Sequence, residues 1–288
     1  MLERLNEALE HIESHLDQRI ETAELARIAV TSEYHFRRLF SALAGIPLSE
    51  YIRRRRLTIA GAEVLAGERT LLEIAVRYGY GSGEAFARAF RAMHGVGPGD
   101  ARRTGAVLRS QPRMSFRLVV EGSSSMRYRV VEKERFHVVG KKVRVPLVHE
   151  GVNPRIAEFI RGIDQETTGR ITALSDQQPE GILGVSDNLD PSRAEGTELD
   201  YYHAVVTGAA APEDLDELVV PAGTWAVFES SGPFPQALQH LWRDVFTQWF
   251  PSNPYQSRPG PEMLRTRLSQ DAAQADAELW IPVERTAV

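Results

Sequence analysis

The sequence predicts a multidomain chain: an all-α N-terminal domain of tandem helix-turn-helix units, then an α+β domain of two pseudo-symmetric β-α-β-β units. Three observations predict it. Apolar residues recur at three- and four-residue steps from residue 2 to about residue 103, with no strand candidate among them. Residues 104–126 are rich in Thr, Gly, Ser, Gln and Pro, and include Gly122-Ser123-Ser124-Ser125. Beyond them β-like runs take over. The expected boundaries are residues 1–108 for the helical domain, 109–125 for a linker and 126–288 for the second domain. A length of 288 residues suits two such cores.

In the first domain Leu2, Leu5, Leu9, Ile12 and Leu16 form one apolar stripe. A second helix is expected from Thr22 as N-cap, carrying Leu25, Ile28 and Ala29. A third follows Thr31-Ser32, with Phe36, Leu39, Phe40 and Leu43 inward and Gly45 as its stop. A long helix spans about Pro47 to Ala66. Thr70 then caps a short helix through Arg77, Gly79–Gly83 form a turn, and a last helix carries Phe86, Phe90 and Met93.

Two segments thus read as support helix, tight turn and outward-facing reader: Thr22–Val30 with Ser32–Ala44, and Thr70–Tyr78 with Ser82–His94. One such pattern is unspecific; two in tandem, joined by one long helix, are not. The charge distribution agrees. Net charge is −5, yet residues 32–110 hold 13 Arg against 7 acidic residues.

These residues resemble the AraC/XylS family of transcription regulators. The resemblance rests on Leu25-Ala26, Ser32, His35-Phe36, Arg38, Phe40 and Gly45 in the first unit and on Tyr51, Arg55 and Ala60 in the linking helix. In the second unit Ile74-Ala75, Gly79-Tyr80, Ser82, Phe86, Arg88, Phe90, Gly95 and Pro98 carry it. It covers about residues 1–105 and implies a bacterial, cytoplasmic regulator whose two units enter successive major grooves of double-stranded DNA, with RNA polymerase as a possible partner. By position in the motif, Tyr34, Arg37 and Arg38 are the expected base readers of the first unit, and Ser82, Glu84 and Arg88 the expected contacts of the second. Arginine suits this role because its fork bonds guanine or phosphate. Arg54, in the run Arg53–Arg56, is the expected phosphate contact; a helical run points in four directions, so at most two of these arginines can face DNA, and Arg55 reads as structural. His35 and His94 lack companions at metal-ligand spacing.

In the second domain strands are expected at Arg127–Val139, Ile182–Asn188, Tyr201–Val206, Leu218–Glu229 and Glu278–Val283, with helices at about Val152–Thr168 and Pro233–Phe250. There are no cysteines, which excludes thiol catalysis and Cys-ligated metals, and there is no phosphate loop or nucleophile elbow. No cofactor, secretion signal or membrane span is expected. All four tryptophans lie here. Glu278 and Trp280 share a strand face, an arrangement suited to a cationic aromatic ligand through ring and counter-charge; Trp242 and Trp249, seven apart on a helix, read as core. The runs Val220–Phe228, Gly232-Pro233-Phe234 and Glu278–Val283 resemble the GyrI-like effector-binding domain over about residues 127–285. That resemblance implies a cleft for lipophilic or cationic molecules, with Glu278 its central glutamate and Tyr201, Trp225, Phe228 and Trp280 its aromatic lining. The chain is therefore expected to be an effector-modulated regulator and not an enzyme. The alternatives are a small-molecule hydrolase using Glu278 with Tyr201 or Tyr202, and a constitutive DNA binder.

Overall fold

The computed structural model describes residues 2–116, 126–148, 151–190 and 195–286. The chain divides into two compact units, Met1–Val119 and Val120–Val288.

Unit 1 contains α1 (Leu2–Ser14), α2 (Thr22–Ile28), α3 (Glu33–Ala44), α4 (Leu48–Ala66), α5 (Leu71–Arg77), α6 (Gly83–His94) and α7 (Pro98–Thr104). The local chemistry explains most of the boundaries. Ser32 and Ser82 accept the amides of His35 and Ala85, capping α3 and α6, while Thr70 and Glu73 form a reciprocal capping box on α5. Thr22, expected as a cap, is instead the first residue of α2; Glu21 holds the cap position, and the Thr22 hydroxyl accepts a bond from Arg37. Two cores form, and α4 serves both. Its Leu48 and Tyr51 join Leu5, Leu9, Phe36 and Phe40; its Leu57, Ala60 and Val64 join Ile74, Phe86 and Phe90.

Residues 109–116, placed in a linker by their composition, pack along α1 and α4. Arg55 Nη1 donates to the Gln111 carbonyl at 2.6 Å, Met114 N to the Tyr51 hydroxyl at 3.1 Å, and Phe116 N to Asn6 Oδ1 at 2.8 Å. The Phe116 ring meets Phe40 edge-on. Polar composition concealed this because the segment is held by bonds between its main chain and side chains of α1 and α4, by the Arg113 ion pairs with Glu10 and Glu13, and by two large apolar side chains, Met114 and Phe116. The rest of the expected linker, 117–125, lies outside the described residues.

Unit 2 contains β1 (Arg127–Lys133), β2 (Phe136–Pro146), α8 (Pro154–Gly162), α9 (Gln165–Ala173), β3 (Leu183–Asp187), β4 (Glu198–Thr207), β5 (Asp216–Val220), β6 (Gly223–Pro233), α10 (Gln236–Asp244), β7 (Tyr255–Ser257), β8 (Glu262–Leu268) and β9 (Gln274–Arg285). A π-helical turn, Val245–Trp249, extends α10. The two longest expected strands are each two strands, broken at Glu134-Arg135 and at Pro221-Ala222. The first expected helix is likewise broken, where Asp164 caps α9 by accepting the Thr167 amide at 2.7 Å.

The strands form one antiparallel sheet in the order β1-β6-β9-β8-β3-β4-β2-β5, with β7 beside β9. One face is covered by helices: Ile171 of α9 packs on Val139 and Val205, Phe159 of α8 on Tyr201, and Trp249 on Phe228. The other face buries Phe136, Val138, Val185, Trp225, Val227, Met263 and Trp280 together. Four strands separate β2 from β6 in the sheet, yet the Phe136 and Trp225 rings are 5.9 Å apart. The sheet therefore curls over this second face until its ends meet. No described helix is long and apolar enough to cross a membrane.

The strap over α1 and α4 hangs on a buried ion pair: Arg55 Nη2 lies 2.6 Å from Glu13 Oε2, with both side chains less than a tenth exposed. Glu13 also accepts the Tyr51 hydroxyl at 2.8 Å. Removing one partner leaves a buried charge, so Arg55→Met should destabilise unit 1 by about 3 kcal/mol or more, and Arg55→Met/Glu13→Met by clearly less than the sum of the single changes. Denaturant melts of the four proteins check this; additive losses would refute the coupling.

Candidate nucleic-acid interface and ligand cleft

The two helix-turn-helix units are built alike. In the first turn Val30 N donates to Arg27 O and Thr31 N to Ala26 O; in the second Gly79 N donates to Val76 O and Tyr80 N to Ala75 O. The turn requires left-handed backbone. Gly79 supplies it at φ 81° without cost, whereas Val30 adopts φ 54° with a branched side chain, exposed at 63%.

The readers differ more than their motifs do. On α6, Glu84 and Arg88 are exposed and Ser82 half-buried at the cap. The Glu84 carboxyl is held below its usual range by backbone and Ser82 hydrogen bonds, with help from the Arg88 charge. Arg88 makes no hydrogen bond or salt bridge among the described residues. On α3, Tyr34 and Arg37 are half-buried, and Arg37 Nη2 donates to Thr22 Oγ1 at 2.8 Å across to α2. Arg38, expected to point outward, is only 4% exposed. Its guanidinium lies 5.5 Å from the Tyr34 ring centroid, with Nη1 3.5 Å from the Tyr34 hydroxyl. The cause is local: a tyrosine four residues back on the same helix face draws the side chain along the helix.

The arginine run of α4 has four different fates. Arg53 and Arg54 both bind Glu50, Arg54 Nε at 2.5 Å from its Oε1. Arg55 is the buried partner of Glu13, in accord with its structural reading. Arg56 donates to the carbonyls of Leu16 and Gln18, just past α1.

The five residues expected around an effector divide between the two sheet faces of unit 2. In the β6–β9 register Trp225 faces Pro282, Val227 faces Trp280 and Glu229 faces Glu278, while Phe228 pairs with Leu279 on the alternate face. Trp225, Glu278 and Trp280 thus share the curled face. Phe228 and Tyr201 lie on the helix-covered face, where Tyr201 packs on Phe159 and burial pushes its hydroxyl up to about 12. Trp242 donates to Glu262 at 2.9 Å, and Trp249 packs as core.

Glu278 is not an open counter-charge. It is 6% exposed and ion-paired with Arg129 of β1 and Arg265 of β8. Arg129 also reaches Glu229 at 3.1 Å and lies over the Trp280 ring. Arg129, Glu229, Arg265 and Glu278, with Gln178-Pro179-Glu180, line a cleft of about 180 Å³. The sequence reading missed Arg129, Arg265 and Glu229. The alternation of Arg127, Arg129 and Lys133 marks one face of β1, but only the strand order shows that Glu278 meets it.

Residues 126–284 match the family described as GyrI-like small molecule binding domain, and residues 25–104 a helix-turn-helix domain family. Among characterised relatives, the regulatory protein SoxS of Salmonella typhimurium is 35% identical over 33% of this chain and 88% of its own length. The TetD protein of transposon Tn10 from Escherichia coli is 37% identical over 34% and 72%. The uncharacterised regulator YbfP of Bacillus subtilis is 37% identical over 32% of this chain, and the chain spans only 31% of its length. Among solved structures, SAV2435 bound to tetraphenylphosphonium is 19% identical over 55% of this chain and 94% of its own, with a TM-score of 0.43. An AraC-type regulator from Chromobacterium violaceum is 24% identical over 36% and 93%, with a TM-score of 0.34.

His35, beside Arg38, is fully buried, and burial, aided by the Arg38 charge, lowers its imidazole to about 3. The folded protein therefore keeps His35 neutral while the unfolded chain protonates near pH 6.5. Below that value the unfolded state binds more protons, so the stability present above pH 6.5 falls as pH drops towards 3, by on the order of a few kcal/mol in all. Histidine NMR titration should show His35 silent between pH 8 and 5; a midpoint near 6.5 would contradict its placement.

Proposed function

The chain belongs to the AraC-type helix-turn-helix regulators and carries a GyrI-like small molecule binding domain, and from that premise we propose that it is a sequence-specific DNA-binding regulator whose second domain binds a small effector that modulates DNA binding. The observation that carries the proposal is the equivalence of the two turn-and-reader units, whose turns carry matching hydrogen bonds and which are built on one helix. Arg88 and Glu84, with Ser82 at the cap, form the reading surface of α6; Tyr34 and Arg37 form that of α3, with Arg38 positioning Tyr34. Arg54 meets phosphate, released from Glu50. RNA polymerase contact and action in the cytoplasm belong to the same proposal.

The second domain is read as two pseudo-symmetric halves; with the first strand of each expected β-α-β-β unit split in two, they run β1-β2-α8-α9-β3-β4 and β5-β6-α10-β8-β9. The strand order supports this: exchanging β1 with β5, β2 with β6, β3 with β8 and β4 with β9 returns the same order read backwards. The two halves adjoin at β3 and β8, and the curled face they share holds the cleft. The effector reading rests on that cleft, and Glu278, held between two guanidiniums, is a poor candidate for a free catalytic base.

A preferred duplex selected from random sequences by the full-length protein provides the test. Arg88→Ala should weaken it by about 1–3 kcal/mol and relax one base position. Arg54→Ala should weaken all duplexes alike and lower the salt dependence by about one counterion. An effector that shifts duplex affinity must itself bind with affinity shifted by the same factor when DNA is present. No enrichment of any sequence, or no effect of either substitution, would refute the reading surface.

A further inference from the structure

Of the four consecutive arginines of α4, two are engaged inside unit 1: Arg55 by Glu13, and Arg56 by the carbonyls of Leu16 and Gln18. The other two converge on one carboxylate. Glu50 accepts Arg53 Nε and Nη2, each at 2.8 Å, and Arg54 Nε at 2.5 Å. Partial burial would raise the Glu50 carboxyl, but the hydrogen bonds and charges of the two guanidiniums outweigh it and hold the group below its usual range. The Arg53 and Arg54 side chains stay 42% and 41% exposed, so another anion can reach them.

The Arg55–Glu13 pair ties α4 to α1, whereas these three residues lie within two turns of one helix and their bonds join it to nothing else. Pairs at this spacing support a helix only slightly. Their place in the fold is more telling. Arg53 and Arg56, three residues apart, share a face of α4, and that face adjoins the turn of the second unit. A Cβ on Gly79 would lie 3.4 Å from Arg56 Nη1, and the charges of Arg53, Arg56 and Glu50 all act on the Tyr80 hydroxyl. Tyr80 stands two residues before Ser82, the cap of α6. Two guanidiniums turned towards one pair of anionic oxygens is also the arrangement that would receive a phosphate.

We propose that Arg53 and Arg54 form one phosphate site beside the second turn, and that Glu50 fills it in the free protein as a brake on binding to DNA of any sequence. This rests on the reading of unit 1 as a DNA binder, and adds to it Arg53 as a contact and Glu50 as the residue that sets its electrostatic strength. With Glu50 the three side chains carry one net positive charge; without it they would carry two. Exposed ion pairs are weak and screened by salt, so Glu50 yields to a DNA phosphate instead of blocking it. Because no base is involved, the cost falls on all duplexes alike.

The affinity of full-length protein for a duplex of mixed sequence, followed by fluorescence anisotropy between about 0.05 and 0.3 M potassium chloride, tests this. Glu50→Gln should tighten binding about eightfold at about 0.1 M salt and steepen the salt dependence by about one counterion. In Arg53→Ala/Arg54→Ala the same substitution should change affinity by less than about twofold, because the brake acts through those two side chains. Thermal melts confirm that each variant is folded. Arginine Nε–H NMR of the unsubstituted protein gives a second reading: the Arg53 and Arg54 signals should move together on addition of duplex while that of Arg55 stays. Arg53 and Arg54 signals unmoved at saturating duplex overturn the inference. So does unchanged affinity in Glu50→Gln when Arg53→Ala/Arg54→Ala binds weakly, an outcome that leaves the DNA surface standing. An equal gain in both backgrounds overturns it too, since Glu50 would then act as a bare charge. If Arg53→Ala/Arg54→Ala keeps the affinity and salt dependence of the unsubstituted protein, the inference and the phosphate reading of Arg54 fall together.

Discussion

Everything in unit 1 depends on α4 being buried from both sides at once. Nineteen residues make a rod about 28 Å long, and its two halves contribute to different cores. Tyr51 and Leu48 complete the core of the first unit, Leu57 and Val64 that of the second, and Ile59 packs against both. Neither helix-turn-helix unit can tilt on this rod without opening its own core. The Arg55–Glu13 pair adds a directional constraint that apolar packing lacks. It joins α4 to α1 and, through Gln111, holds the strap. Close, buried ion pairs are poor sources of net stability, but they punish any wrong register heavily. Two readers separated by a fixed span are what a duplex with a repeat of about 34 Å demands.

How much of this was legible in the sequence follows from how local each signal is. Helical periodicity, capping serines and the left-handed glycines are written within four or five residues of one another, and α1 to α6 fall near their expected places, whereas α7, a short helix begun by Pro98, was not expected. The split strands are also local, but their breaks at Glu134-Arg135 and Pro221-Ala222 are hairpins too short to interrupt an apolar run. β7 and β8 escaped notice because β7 is three residues long and β8 alternates with Arg265 and Thr266 where apolar residues were sought. The strap was illegible for a different reason. Its attachment runs through main-chain atoms of Gln111, Met114 and Phe116, which composition does not reveal.

The cleft shows the same limit more sharply. The face shared by Glu278 and Trp280 could be read from alternation along one strand. Its electrostatic meaning could not, because Arg129 and Arg265 arrive from strands 149 and 13 residues away. A glutamate beside an indole reads as a cation site only while its own neighbours are unknown. Once two guanidiniums bracket it, Glu278 is no longer a free counter-charge. The physical character of a strand residue is thus set by its cross-strand partners as much as by its own side chain.

Arg38 and Arg88 make that point within a helix. They sit fifty residues apart at the same place in the repeated motif, each on the helix after the turn, yet one is buried and the other solvated. The difference lies four residues earlier. Tyr34 offers Arg38 a ring and a hydroxyl, so the guanidinium folds back along α3 beside His35; Glu84 offers Arg88 only an exposed charge, which water screens. A repeated motif therefore fixes where a reader helix lies but not what it presents. The first unit displays an aromatic ring braced from beneath by an arginine, and the second an arginine with no hydrogen bond or salt bridge among the described residues. The repeat conserves geometry while its two surfaces carry different chemistry.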